Sequence, residues 1–185
     1  MTCEASAQTD KPTILNLTNH AYWNLTGAPE TSTILDHRLM LACDKYLPVD
    51  ETLIPTGELA PVADTPLDFR KLEPIGARIE KVDGGYDHCF VINGGGKSLT
   101  LAARVEEPTT GRVMEVRTTE PGIQFYTGNF LDGSDAVNKF AKHSGFCFET
   151  QHYPDSPNQP EFPTTLLQPG EVYSQTTIYK FSTIK

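Results

Sequence analysis

The sequence lacks the features that mark membrane proteins, secreted proteins and small zinc or redox modules. No run approaches the roughly 18 apolar residues that a membrane-spanning helix needs. Segment 1–10 (MTCEASAQTD) has neither a basic start nor an apolar stretch, so we expect no secretory signal peptide. The four cysteines form no CxxC pair, which argues against zinc ribbons and thiol-redox motifs. We therefore expect a cytoplasmic protein with reduced thiols and no membrane partner.

Positive charge is also scarce. Lys and Arg number 15 against 24 Asp and Glu, giving a formal net charge of −9. Nucleic-acid binding draws on a surplus of cations that replaces condensed counterions, so this balance argues against a nucleic-acid partner. Nucleotide and hydrolase motifs are missing too: segment 94–98 (GGGKS) lacks the first glycine of a P-loop, and no GxSxG occurs.

Helix signals are weak, and only one segment qualifies. The sequence predicts a short helix over 69–80, where Asp68 is placed to cap the first turn. Pro74 and Gly76 limit its length, because proline lacks a backbone donor and glycine loses conformational entropy in a helix. No internal repeat or heptad pattern is present.

Strand periodicity dominates instead. Segment 98–106 alternates, with Leu99, Leu101, Ala103 and Val105 predicted on one face. A turn-rich EPTTG follows, and then strand-like 112–118, so the two segments predict a β-hairpin. Other predicted strands are 36–43, 86–92, 122–127, 145–151 and 172–182. The pattern predicts an all-β, antiparallel β-sandwich that forms a single domain over 1–185.

One segment near the N-terminus groups chemistry suited to a sugar. His20 lies beside Asn19, Tyr22, Trp23 and Asn24. Aromatic faces stack on the C–H patches of a sugar, while amides donate to and accept from its hydroxyls. Taken alone, the segment fits a structurally satisfied histidine better, because polar groups near aromatic strands are commonly just hydrogen-bonded.

Two carboxylates stand at strand ends. Asp87 follows a Gly-Gly turn, where it can accept hydrogen bonds from sugar hydroxyls or simply cap the turn. Glu149 shares a strand face with Cys147 and Gln151. At the end of an apolar strand, such a carboxylate is a candidate for a raised pKa and for a general base. By itself, an exposed strand-end glutamate is the commoner case.

The spacing of the histidines does not predict a metal site. His143 with Glu149 or His152 is the one combination that the sequence offers, and it resembles neither HExxH nor a facial triad. We expect no metal site and no cofactor.

Taken together, these segments resemble the galactose mutarotase (aldose 1-epimerase) family. The blocks that carry the resemblance follow the family's order over nearly the whole chain: NLTNHAYWNL (16–25), YLPVD (46–50), IPTGE (54–58), YDH (86–88), GIQFYTGN (122–129), HSGFCFETQ (143–151), PDSPN (154–158) and LQPGE (167–171). The resemblance implies a galactose mutarotase-like supersandwich and an isomerase that interconverts the α and β anomers of free aldohexoses such as glucose and galactose.

The resemblance also implies roles for particular residues. Glu149 would take the proton of the anomeric hydroxyl, and His20 would donate one to the ring oxygen, without metal or coenzyme. Asp87 would hold sugar hydroxyls and Gln124 would contact the ring, and we add Asn19 and Tyr22 as further substrate contacts. Family members are roughly double this length, so we expect the chain to correspond to their C-terminal half. It would then be a fragment, a truncated gene product, or one part of a split protein whose N-terminal half another chain supplies.

Two other functions remain open from the sequence. One is a non-catalytic carbohydrate-binding fragment of the same fold, which would have no use for both His20 and Glu149. The other is an epimerase acting on hexose 6-phosphates, which would need arginines to clamp the phosphate. The segments around His20, Asp87 and Glu149 contain none.

Overall fold

Two antiparallel sheets face each other in this computed structural model, which describes residues 1–134 and 140–184. In spatial order, the first six-stranded sheet contains β1 (Thr2–Ala7), β14 (Tyr173–Thr183), β10 (Arg112–Thr118), β9 (Thr100–Glu106), β4 (Arg38–Leu41) and β7 (Glu73–Pro74). The second contains β3 (Tyr22–Trp23), β12 (Phe146–Gln151), β11 (Gly122–Tyr126), β8 (Asp87–Val91), β5 (Lys45–Tyr46) and β6 (Ala60–Pro61). A separate two-stranded pair joins β2 (Thr13–Ile14) to β13 (Leu166–Leu167).

The core lies between the two six-stranded sheets, and strand alternation creates it. In β12, Phe146 and Phe148 are fully buried in a cluster that also takes in Val105 and Tyr179 from the opposite sheet. Burying each phenylalanine contributes roughly 1.5–3 kcal/mol to the free energy of unfolding. Because side chains alternate along a strand, this anchoring turns Glu149 to the other face of the second sheet. The predicted all-β antiparallel fold is confirmed.

The predicted hairpin of β9 and β10 is confirmed as well, but the predicted alternation in β9 is wrong at its first half. The pairing register shifts between Val116 and Arg117, so the opposing strand carries an extra residue. Ala102 and Ala103 are therefore both buried, while Leu99 is 40% exposed. A β-bulge of this kind reverses the face of every residue on one side of it.

The helix predicted over 69–80 does not form. That segment holds β7 and two 3-10 turns, Ile75–Ala77 and Ile79–Lys81. The backbone N–H of Ile75 donates to the carbonyl of His37 and that of Gly76 to the carbonyl of Leu35. These donors serve the neighbouring chain rather than a helix, and Pro74 offers no donor at all. Within the described residues, no helix has the length and apolar character to cross a bilayer.

Candidate active site

The outer face of the second sheet collects the polar residues that the sequence singled out. Gln124 of β11 lies opposite Glu149 of β12, and Tyr126 lies between Asp87 of β8 and Cys147 of β12. Residues two apart on a strand share a face. This register therefore puts two carboxylates, an amide, a thiol and a phenol side by side on three adjacent strands.

His20 reaches this face from the loop that precedes β3. Its Nε2 lies 3.4 Å from Oε1 of Glu149, and its Nδ1 lies 3.4 Å from Sγ of Cys147. The imidazole stacks on Tyr22 with ring centroids 5.3 Å apart and meets the edge of Tyr126 at 6.5 Å. The ring is thus held between two aromatic side chains while its two nitrogens face an acid and a thiol.

Glu149 and His20 differ in their exposure to solvent. The Glu149 side chain is 13% exposed, whereas that of His20 is 53% exposed. Burial raises the pKa of the Glu149 carboxyl above its usual value, and the nearby charge of Asp87 raises it further, while His20 opposes both effects. A carboxylate in contact with an imidazole pairs two groups that can each take up and release a proton.

Asp87 and Gln124 form a hydrogen-bonded pair beside these groups. Nε2 of Gln124 donates to Oδ1 of Asp87 at 2.7 Å. The other end of the amide, Oε1 of Gln124, is buried without a hydrogen-bond partner among the described residues. Both side chains line a cavity of about 80 Å³, and the remaining lining residues are Leu47, Val49, Leu53, Pro55, Cys89 and Pro154.

The side chain of Asn19 makes two contacts close to His20. Its Oδ1 accepts from the backbone N–H of Ala21 at 2.9 Å, and its Nδ2 points to Sγ of Cys3 at 3.6 Å. The amide therefore stiffens the loop that carries His20. Tyr22, by contrast, stacks on His20 itself and is 48% exposed.

Sequence reasoning missed two neighbours of His20. Strand alternation places Cys147 on the face of Glu149 but predicts no contact with His20, and Tyr126 is not among the predicted site residues. The signal for Tyr126 is its spacing of two from Gln124, which puts both on one face of β11. The histidines considered for a metal lie elsewhere: Nδ1 of His143 contacts the carbonyl of Thr127, and His152 pairs with Glu120.

Comparison with known proteins shows which family the chain matches. The aldose 1-epimerase family model matches residues 1–180. The human galactose mutarotase is 52% identical over 182 residues, covering 95% of this chain and 52% of that protein. The Escherichia coli aldose 1-epimerase is 41% identical over 184 residues, covering 95% of this chain and 53% of that protein. The chain thus spans about half the length of the curated relatives it matches.

Solved structures agree. A GalM/aldose epimerase homologue from C. elegans superimposes with a TM-score of 0.88 and 31% identity, covering 100% of this chain and 56% of the other. Galactose 1-epimerase from Lactobacillus acidophilus gives a TM-score of 0.83 and 32% identity, covering 98% of this chain and 53% of the other.

Proposed function

Because this chain belongs to the aldose 1-epimerase family, we propose that it interconverts the α and β anomers of free aldohexoses, with Glu149 as base and His20 as acid. The observation that carries the proposal is the 3.4 Å contact between Nε2 of His20 and Oε1 of Glu149. It joins two proton-transfer groups that lie far apart in the sequence, on the face that also holds Asp87 and Gln124.

The proposed reaction is a pair of coupled proton transfers. The Glu149 carboxylate takes the proton of the anomeric hydroxyl while the His20 imidazolium gives its proton to the ring oxygen. The bond between the ring oxygen and C1 breaks, leaving an open-chain aldehyde that turns about C1–C2. Closure from the other face, with the two groups in reversed roles, gives the second anomer. Each transfer by a positioned group contributes about 10²–10⁴-fold to the rate.

The remaining predicted residues would hold the sugar. Ionised Asp87 only accepts hydrogen bonds, and its Oδ2 is the oxygen that Gln124 leaves for a sugar hydroxyl. Oε1 of Gln124, which no described residue contacts through a hydrogen bond, is a second acceptor. The exposed ring of Tyr22 offers a flat surface to the C–H face of the sugar. Asn19 would act mainly by fixing the His20 loop.

We further propose that another polypeptide segment completes the sugar site, corresponding to the half of the relatives that this chain does not match. Two features support this. The His20 side chain is half-exposed, and β1 pairs on one side only among the described strands. We also propose that residues 1–185 form one domain acting in the cytoplasm, an environment that would suit its four free cysteines.

Polarimetry of freshly dissolved α-D-glucose and α-D-galactose tests the proposal. The chain is assayed alone and together with the N-terminal segment of the human relative, as wild type, Glu149→Gln and His20→Asn. Glu58→Gln, at an exposed loop position, is the matched control. We expect each site variant to lose about 10²–10⁴-fold in rate and the control to lose none. Full activity in Glu149→Gln would refute the assignment. Sugar binding without anomer exchange in the wild type would instead favour a carbohydrate-binding protein.

A further inference from the structure

Three side chains of different donor chemistry meet on the outer face of the second sheet. Sγ of Cys147 lies 3.4 Å from Nδ1 of His20, and Oε1 of Glu149 lies 3.4 Å from its Nε2. One donor atom from each of the three residues lies within 4.8 Å of the other two. We propose that His20, Cys147 and Glu149 bind a thiophilic divalent cation of the zinc class, and that this ion inhibits the protein.

The spacing is close to that of a zinc site. With Zn–S near 2.3 Å and Zn–N near 2.0 Å, tetrahedral coordination separates the sulfur and nitrogen ligands by about 3.5 Å. The contact between Cys147 and His20 already has this length. An ion takes one imidazole nitrogen, and one such nitrogen already lies within 4.8 Å of a donor atom of both Cys147 and Glu149. Solvent supplies the fourth ligand.

The local charge favours a cation at this point. The carboxyl groups of Glu149 and Asp87 lie on the same face of the second sheet as the Cys147 thiol, on β12 itself and on β8 across Tyr126. On binding, the sulfur releases its proton to solvent and gives a lone pair to the metal. The imidazole nitrogen and the carboxylate oxygen each give a lone pair as well.

The donor set also selects among ions. Magnesium and calcium take oxygen ligands almost exclusively, so a site with sulfur and nitrogen donors discriminates against them. Zinc and cobalt accept all three donors.

Binding itself does not depend on the proposed enzymatic activity, but inhibition does. An ion on His20 and Glu149 occupies the lone pairs that the proposed mechanism uses to move protons. We therefore expect mutarotation to stop when the ion fills the site. The proposed reaction itself does not use the ion.

Cobalt titration of the chelator-treated chain tests the binding. We expect a thiolate-to-cobalt charge-transfer band in the near ultraviolet, release of a proton, and loss of the band when zinc is added. Cys147→Ser should abolish the band. His20→Gln should weaken cobalt binding by more than about tenfold, since even outer-sphere changes cost 10–100-fold. Cys3→Ser removes the half-buried cysteine, the other three being buried, and should leave the titration unchanged.

Three results would overturn the proposal: no thiolate band in the wild type, a band that persists in Cys147→Ser, or unchanged cobalt affinity in His20→Gln. His20 lies at the surface, so His20→Gln decides the matter even where Cys147→Ser fails to fold. A parallel polarimetric assay compares zinc with magnesium, and only zinc should slow mutarotation. The spectral titration still decides binding where no mutarotation is found, so the two proposals fail separately.

Discussion

Nε2 of Gln124 donates to Oδ1 of Asp87 across neighbouring strands at 2.7 Å. The contact fixes the orientation of the amide, because an ionised carboxylate only accepts hydrogen bonds. Oε1 of Gln124 is consequently held in place with no partner among the described residues. A buried acceptor without a donor carries a desolvation cost of about 1–3 kcal/mol, which a sugar hydroxyl would relieve on binding.

Replacing Gln124 by leucine should therefore weaken sugar binding rather than proton transfer. We expect KM to rise about tenfold, from one hydrogen bond lost at a cost of about 1.4 kcal/mol, and kcat to stay within about threefold. Polarimetric progress curves at several sugar concentrations separate the two constants. Gln168→Leu, at an exposed loop position, is the matched control. A fall in kcat at unchanged KM would show that Gln124 acts in the chemical step instead.

The charge of Asp87 should be visible in the pH profile of the reaction. Burial raises the pKa of Glu149, and the Asp87 charge adds to that shift. A base works only when deprotonated, so activity falls as pH drops through the pKa of Glu149. Asp87→Asn removes the added shift and should move the acid limb of kcat/KM to lower pH. Asp10→Asn removes an equal charge at an exposed position and should not move it. An unmoved limb in Asp87→Asn would mean that Asp87 does not set the pKa of the base.

Strand alternation let the sequence predict which side chains share a face. Phe146 and Phe148 point into the core, as the period of two required, and Cys147 and Glu149 share the opposite face. The contact of His20 with Glu149 was beyond any local pattern, because 129 positions separate them and only the loop before β3 brings the imidazole across. Resemblance to a family supplied that pairing.

The errors of prediction have local causes. The bulge opposite Val116 changes the face of the residues before Ala103, and nothing in the composition of β9 signals it. The segment predicted as a helix offers its backbone donors to the carbonyls of Leu35 and His37. Such tertiary hydrogen bonds override a weak helical propensity.

Gly128, two residues after β11, should resist substitution because of a close backbone neighbour. Its φ is +62°, and a Cβ there would lie 2.7 Å from the carbonyl oxygen of Gly145. Gly84 has a similar φ of +72°, but no described residue lies within 4 Å of a Cβ built there. We expect Gly84→Ala to lower the free energy of unfolding by about 1–2 kcal/mol, the backbone strain alone, and Gly128→Ala to lower it by more. Urea denaturation measures both. Equal losses would mean that the Gly128–Gly145 contact adjusts without cost.

Buried His37 should make the fold sensitive to acid. Its Nε2 accepts from the backbone N–H of Leu25 at 2.9 Å, and burial lowers the pKa of its imidazole from 6.5 to about 4. Between about pH 6.5 and pH 4, the unfolded chain therefore binds a proton at His37 that the folded chain does not bind. The contribution of His37 to the free energy of unfolding is complete above about pH 6.5 and is lost as the pH drops toward 4. Between about pH 7.5 and 4.5, protonation linked to this histidine alone should lower the free energy of unfolding by roughly 2–3 kcal/mol.

Urea denaturation of wild type and His37→Gln at both pH values isolates the effect, because other titrating groups are common to the two proteins. We expect the variant to be less stable at the higher pH, where it loses the packing of the imidazole against Phe146, but to lose correspondingly less on acidification. Parallel losses in both proteins would show that His37 stays neutral throughout or is protonated without penalty.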